Sequence, residues 1–476
     1  MALILLPLAG GIACFLWQTV TTIVGLIILS AVVISVAGLA WQMMESGVYR
    51  HAVGGWNAPL GIDLYADGLS LLMLTVTALV GLCISIYSTG YFEPKRSARF
   101  WPLWLFLLAA LNALFLSADI FNLYVTLELM GLAAVALTAL SGDKDALTGA
   151  MRYLLATLLG SLAYLFGVGL LYHGFGSIDI AILAQRVESI PITWAAFGLM
   201  STGLILKSAL FPFHFWLPPA HASAPAPVSA VLSALVVKAS FYLLLRLWLE
   251  IFKPLGAEGV ESLLGLLGAI AVLWGSLLAL MQTRLKLLIA YSTVAQIGYL
   301  FIAFSLAASN SVTAWYAAAY LTLSHALAKA AMFLSAGNLL HFAGQDRIAD
   351  LDRAVQRLPL SVTAFALAGV SIMGIPPSGG FIGKWLLLEA AIQQSRWGMV
   401  AIILLGGLLA AGYIFKVLGH AFTQVTVAPD SPIPSALMQW TALLLACAAI
   451  LLGFLAPQVL SLLVIGDPFS TREVTL

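Results

Sequence analysis

The sequence predicts an all-α polytopic membrane protein of about fourteen transmembrane helices, built as two inverted five-helix repeats with broken seventh and twelfth helices. Three observations carry that expectation. Of 476 residues, 62% are hydrophobic and 9% charged, against roughly 25% charged in a soluble globule. Apolar runs of about 17 to 25 residues, the length that crosses a hydrocarbon core, recur along the whole chain. Stretches rich in proline and glycine interrupt two of those runs at matching places, the sequence signature of a transporter assembled from repeats.

Taken in order, the runs fall near 2–18, 21–42, 67–90, 101–117, 119–140, 147–172, 192–213, 225–249, 259–280, 285–307, 311–341, 360–391, 397–422 and 436–464. The first lacks a basic flank and reads as a retained span rather than a signal peptide. Loops between runs are short, so any chemistry lies in the membrane. The polar tail from Asp467 to Leu476 requires a neighbour to order it. The runs group into an N-terminal three-helix segment (1–100), a first repeat (101–250), a second repeat (251–422) and a C-terminal helix with its tail (423–476). With five helices per repeat, an odd number, the second copy is upside down.

A net charge of +1 gives no global field that would attract nucleic acid. Cys14, Cys83 and Cys447 lie far apart, which supports neither a disulfide framework nor a thiolate metal site. Basic residues sort to two sides. Lys95, Arg96, Arg99, Lys144, Arg152, Arg284, Lys286, Arg347, Arg353 and Arg357 share one, and Arg50, Arg186, Arg246, Lys253, Arg396 and Arg472 the other. The richer side is expected to be cytoplasmic, with both termini outside.

The remaining lysines, Lys207, Lys238, Lys329, Lys384 and Lys416, fall within spans. A lysine at mid-membrane is unfavourable by roughly 3 kcal/mol, so each one requires an internal partner, a water-filled cavity or a route to the headgroups. Lys207 is followed by Ser-Ala-Leu-Phe-Pro212-Phe-His214-Phe-Trp216-Leu-Pro218-Pro219-Ala-His221. Lys384 closes Gly374-Ile-Pro376-Pro377-Ser-Gly379-Gly380-Phe-Ile-Gly383-Lys384. Pro212, Pro376 and Pro377 break their helices there, and broken helices at membrane depth persist only where they line a cavity or are buried in protein.

Glu128 sits mid-span, and a lysine of the seventh span is its natural partner. Desolvation lowers a lysine's proton affinity while a nearby carboxylate restores it, so the two residues form a switch that needs no metal or cofactor. Asp119, at the start of the same span, reads either as a second acidic ligand or as a helix N-cap. His325 and Lys329 lie four apart on one helical face and, with Lys238 and Lys384, make a polar file. His214 and His221 either join that file or hydrogen-bond backbone groups freed by the prolines. Lys416, nearer a helix end, either joins it or snorkels.

Rival classes fit less well. Seven scattered histidines offer no matched pair for a b-type haem, and a quinone-reactive site near an interface is not apparent. A purely structural scaffold has no reason to carry these membrane lysines, at a combined insertion cost of order 15 kcal/mol.

These residues resemble the proton-antiporter-like membrane subunits shared by respiratory complex I and Mrp-type Na⁺/H⁺ antiporters. The motifs are Lys207 with Pro-Phe-His-Phe-Trp-Leu-Pro, Ala-Pro-Ala-Pro-Val-Ser-Ala through to Lys238, Leu-Leu-Ile-Ala-Tyr291-Ser-Thr, His325-Ala-Leu-Ala-Lys329 and Gly-Ile-Pro-Pro-Ser-Gly-Gly-Phe-Ile-Gly-Lys384. By that likeness Glu128 and Lys207 match the family's fifth-helix glutamate and seventh-helix lysine, Lys238 its eighth-helix lysine and Lys384 its twelfth-helix lysine. The stretch from Gly54 to Ser70 looks most like the D subunit of Mrp antiporters. The resemblance implies a proton path through Glu128, Lys207, Lys238, His325, Lys329 and Lys384, in one subunit of a hetero-oligomeric complex in the bacterial inner membrane. H⁺ is the implied ion and Na⁺ a further candidate, with no cofactor and no bound metal. A complex I-like, hydrogenase-linked or inorganic-carbon-uptake complex is the alternative setting, and only the first would make the chain part of a redox translocase.

Overall fold

The computed structural model describes residues 1–256, 258–307, 312–423 and 433–467. Arg472 and most of the polar tail lie outside them.

Helices account for nearly all of the described chain. The longer ones are α1 (Ala2–Leu16), α2 (Thr21–Ser46), α3 (Gly68–Tyr91), α4 (Pro94–Leu116), α5 (Ile120–Thr138), α6 (Lys144–Phe175) and α7 (Pro191–Ser208). α8 (Ala226–Phe252), α9 (Gly259–Met281), α10 (Leu285–Ala307), α11 (Val312–Ala343) and α12 (Pro359–Met373) follow. The last are α13 (Gly379–Gln393), α14 (Trp397–Ala421) and α15 (Ala436–Leu451). Every predicted run contains a helix. Among the described residues, 12 are long and apolar enough to cross a membrane, while α1 and α12 are shorter apolar helices. The difference from fourteen arises where α1 has only 15 residues and where the predicted twelfth run divides into α12 and α13.

One small element is not legible in the sequence. Between α2 and α3 the chain makes an antiparallel hairpin of β1 (Tyr49–Ala52) and β2 (Asp63–Ala66), with Tyr49 opposite Ala66 and Ala52 opposite Asp63. Polar residues there obscure the alternation that marks a strand.

Helix starts follow from capping chemistry. Asp67, Asp119, Asp143 and Ser378 each accept a hydrogen bond from a backbone N–H three residues on, at the first turns of α3, α5, α6 and α13. The two predicted breaks share one geometry. At the end of α7, Ala209 adopts a left-handed conformation (φ 56°), and the N–H groups of Leu210 and Ala209 donate to Ile205 O and Leu206 O, each at 3.2 Å. At the end of α12, Gly374 does the same (φ 81°), with Ile375 and Gly374 donating to Val370 O and Ser371 O, each at 3.1 Å. Both are Schellman motifs, which satisfy carbonyls that a helix end would otherwise orphan in a place without water. Prolines then prevent the helix from resuming directly.

α8 is buried along nearly its whole length and carries two wide, π-type turns, Leu232–Val236 and Trp248–Phe252. The first lies immediately before Lys238. Such turns leave carbonyls less tightly held than in an α-helix and mark functional stretches.

Two residues counted among the loop charges prove to be internal. Arg246 is 4% exposed and clamped between Asp67 (2.8 Å) and Glu250 (2.6 Å), with Tyr242 Oη at 2.8 Å. Lys286 is 7% exposed. Each lies near a helix end and reads as a loop residue in sequence, while the tertiary fold closes over it.

Candidate functional site

The site begins where α5, α6 and α7 meet. α6 and α7 approach closely because glycines face each other: a Cβ on Gly160 would lie 2.9 Å from Gly203 O and 3.1 Å from Lys207 Cγ. That seat brings Thr157 of α6 to the end of Lys207, whose ammonium donates to Thr157 Oγ1 at 2.6 Å. Glu128 of α5 stands 3.5 Å from the same nitrogen. The lysine side chain is 3% exposed and the glutamate 19%, so one partner is enclosed while the other retains access to its surroundings. The predicted pair is therefore formed. Sequence reasoning misses Thr157, because a lone hydroxyl in an apolar run gives no signal.

The break beyond Lys207 is held by aromatic residues. Trp216 donates its indole N–H to Leu206 O at 2.8 Å and stacks on Tyr153 of α6, with ring centroids 4.3 Å apart. His214 packs between Phe211 and Tyr291. His221 is completely buried, stacks on Phe333, and neither of its ring nitrogens has a hydrogen-bond partner among the described residues.

The next lysines are held by oxygens of their own or neighbouring helices. Lys238 Nζ donates to the carbonyl of Ser233 in the wide turn, and Ser233 Oγ is 2.9 Å from Thr293 Oγ1 of α10. Lys329 Nζ donates to Ile289 O at 3.1 Å and to Ser292 Oγ, both also on α10. α10 thus supplies oxygens to Lys329 directly and touches the turn that holds Lys238, a role that its sequence does not show. His325 lies within electrostatic reach of Lys238, Lys329 and Lys384, and both of its ring nitrogens lack a protein partner among the described residues. Buried polar atoms of this kind are ordinarily satisfied by water, which suits a hydrated file.

Lys384 lies at the second break. Its ammonium donates to Ile372 O at 2.8 Å and Met373 O at 3.2 Å, the freed carbonyls at the end of α12, and sits 4.4 Å above the Tyr299 ring. Ser371 Oγ accepts from the Gly380 N–H at 3.2 Å and lies 3.0 Å from Ser324 Oγ, tying α11, α12 and α13 together.

Two secondary candidates take the structural reading. Asp119 caps α5 through Asn122 N at 2.6 Å, beside Asp63 and Asp179, which share Arg50 at 2.8 and 3.0 Å. Burial raises the Asp119 carboxyl above its ordinary range, the cap's backbone N–H groups oppose that, and the neighbouring aspartates add to it. Lys416 caps the end of α9 by donating to Leu280 O at 2.8 Å and Gln282 O at 2.7 Å. No group of three or more His, Cys, Asp or Glu residues among the described residues is placed to hold a metal ion.

A family profile described as NADH:quinone oxidoreductase/Mrp antiporter, TM, matches residues 117–410, more than half of the chain and the whole of this lysine file. The chain belongs to this family. A second profile, for the N-terminus of chain 5 of NADH-ubiquinone oxidoreductase (complex I), matches residues 53–101. Among relatives of this family, the N subunit of the NADH-quinone oxidoreductase of Desulforudis audaxviator is 34% identical, over 92% of this chain and 91% of that protein. The D subunit of the Na⁺/H⁺ antiporter of Bacillus subtilis is 29% identical, over 83% and 80%. A chain of the membrane-bound sulfane sulfur reductase, an archaeal respiratory membrane complex, superposes with a TM-score of 0.91 at 26% identity, covering 98% of this chain and 96% of that one. A chain of the Mrp complex from Dietzia sp. DQ12-45-1b gives 0.89 at 24%, covering 98% and 97%, a likeness of fold. The chain is a multi-pass membrane protein with the antiporter-like fold, and its structural neighbours are parts of multi-subunit membrane complexes.

Proposed function

We propose that the chain translocates protons along Glu128, Lys207, Lys238, His325, Lys329 and Lys384, as the D subunit of an Mrp-type Na⁺/H⁺ antiporter in a bacterial cytoplasmic membrane. The observation that carries this reading is the enclosed Lys207, held between Glu128 at 3.5 Å and Thr157 at 2.6 Å beside a helix break. A lysine so placed binds a proton when the carboxylate is near and releases it when the pair separates, which is what a carrier site must do. The rest of the file continues through side chains held by hydroxyls and freed carbonyls. In this reading α4–α8 and α9–α14 are the inverted repeats, both termini face outward, and other membrane subunits flank the chain.

A second reading, a proton-pumping subunit of a complex I-like assembly, is favoured by the 34% identity to the N subunit of the quinone oxidoreductase. The proton path is the same in both. The test is proton transport by the assembled complex in sealed vesicles. Lys207→Ala is expected to leave the complex assembled and transport abolished, since removing a costly buried charge need not destabilise the helix. Full transport by that variant would overturn the reading. Na⁺-dependent transport without an electron donor selects the first setting, and donor-dependent transport the second.

A further inference from the structure

The file needs an entry, and Lys286 stands at one. A cavity of about 610 Å³ opens on the face that carries Arg96, lined by Glu93, Arg96, Lys286, His341 and Ile433 among others. Lys286 is 7% exposed, so it lies at the inner wall of that cavity rather than in the loop that its position suggests. Its ammonium donates to Ala222 O at 3.3 Å and to Ala224 O, carbonyls of the segment that joins the first break to α8. His221 belongs to the same segment. The imidazole lies within electrostatic reach of Lys286, Lys329 and Lys238, and both its ring nitrogens lack a protein partner among the described residues. The other charges around Lys286 are Asp346, Arg284 and Asp143, with Asp346 and Arg284 paired at 3.0 Å.

We propose that Lys286 admits protons from this cavity to His221, and through it to Lys238 and Lys329. The ammonium gives a proton to an unprotonated ring nitrogen of His221, directly or through water, and the neutral amine regains one from water in the cavity. Charge balances at each step, because the positive charge moves with the proton. The inference rests on the proton-translocating reading above.

A purely structural Lys286 would only hold the two carbonyls, a task for which arginine also has donors, while its guanidinium keeps its proton at any working pH. The experiment uses the assembled complex in sealed vesicles with a pH-sensitive dye, comparing wild type, Lys286→Arg, Lys286→Met and Lys207→Ala. Lys286→Arg is expected to melt as wild type does and to transport protons at least ~10-fold more slowly, with Lys286→Met equally slow. Wild-type transport by Lys286→Arg alongside an inactive Lys207→Ala would overturn the role of Lys286 and leave the path standing. Wild-type transport by Lys207→Ala would remove the path itself. A second measurement is independent of folding: Ile433→Cys is treated with a bulky thiol reagent after assembly, with treated wild type as control. Blocking this cavity is expected to slow transport several-fold, and an unchanged rate in fully labelled complex would overturn the entry route.

Discussion

Replacing Glu128 by glutamine removes the charge from one member of the central pair and little else. At 3.5 Å the attraction between unit charges is about 5 kcal/mol at an effective dielectric near 20 and about 1 kcal/mol in bulk water. The pair lies within membrane-spanning helices and the facing carboxylate oxygen is buried, so the bulk-water figure is a lower bound. Since about 1.4 kcal/mol corresponds to one pH unit, the loss converts to about one to three units. The carboxylate favours the charged lysine, so without it the lysine is charged only at lower pH. The transport optimum is therefore expected to move towards acid by that amount, with a reduced maximal rate. Glu128→Asp keeps the charge on a shorter stem and is expected to shift less, whereas Lys207→Arg keeps its proton throughout and is expected to be inactive. The assay is a pH profile of dye-reported proton uptake by the assembled complex in vesicles. An unchanged optimum in Glu128→Gln together with an active Lys207→Arg would refute the argument.

Two further substitutions separate carriers from supports. Thr157→Val keeps the shape of the side chain but withdraws the hydroxyl that accepts from Lys207 at 2.6 Å; the unmet donor costs about 1 to 3 kcal/mol of stability, and the pH profile is expected to shift towards acid, as measured by thermal melting and transport together. Lys416→Ala removes the cap on Leu280 O and Gln282 O; stability is expected to fall by about 1.5 to 3 kcal/mol while transport by the surviving complex is retained, and a transport defect at full stability would place Lys416 in the path.

Both breaks and every lysine of the file are legible in the sequence because charge and proline are conspicuous in apolar surroundings. What each lysine touches is not. Thr157, Ser233 and Ser292 are small hydroxyl residues whose role depends on which helices meet, and the meeting of α6 and α7 depends on Gly160 facing Gly203. Lys286 and Arg246 lie at helix ends, where counting charges by loop places them in water, yet both are buried. Asp119 admits two readings from its position alone, and the N-cap prevails because an aspartate just before a helix satisfies the free N–H of Asn122 at no conformational cost.

The two breaks have the same backbone geometry but place their lysines differently, and that difference is testable. Lys207 lies before its break and turns to Thr157 and Glu128 on other helices. Lys384 lies after its break and reaches back to the carbonyls of Ile372 and Met373, where the end of α12 presents partial negative charge. The first lysine answers to a carboxylate and the second to the shape of the break itself. The left-handed residue is alanine at the first break (φ 56°) and glycine at the second (φ 81°). Exchanging them has opposite expected effects. Ala209→Gly relieves a strain of about 1 to 2 kcal/mol and leaves Lys207 in place, so stability rises or holds and transport is unchanged. Gly374→Ala imposes that strain, and its new Cβ would lie 2.6 Å from Lys384 Cδ. The flexible lysine gives way and leaves its carbonyls, so transport is expected to fall several-fold for a stability loss of only about 1 to 2 kcal/mol. Melting temperature and proton uptake measured on the same vesicles decide the matter, and wild-type transport by Gly374→Ala would show that the carbonyls at the second break do not govern Lys384.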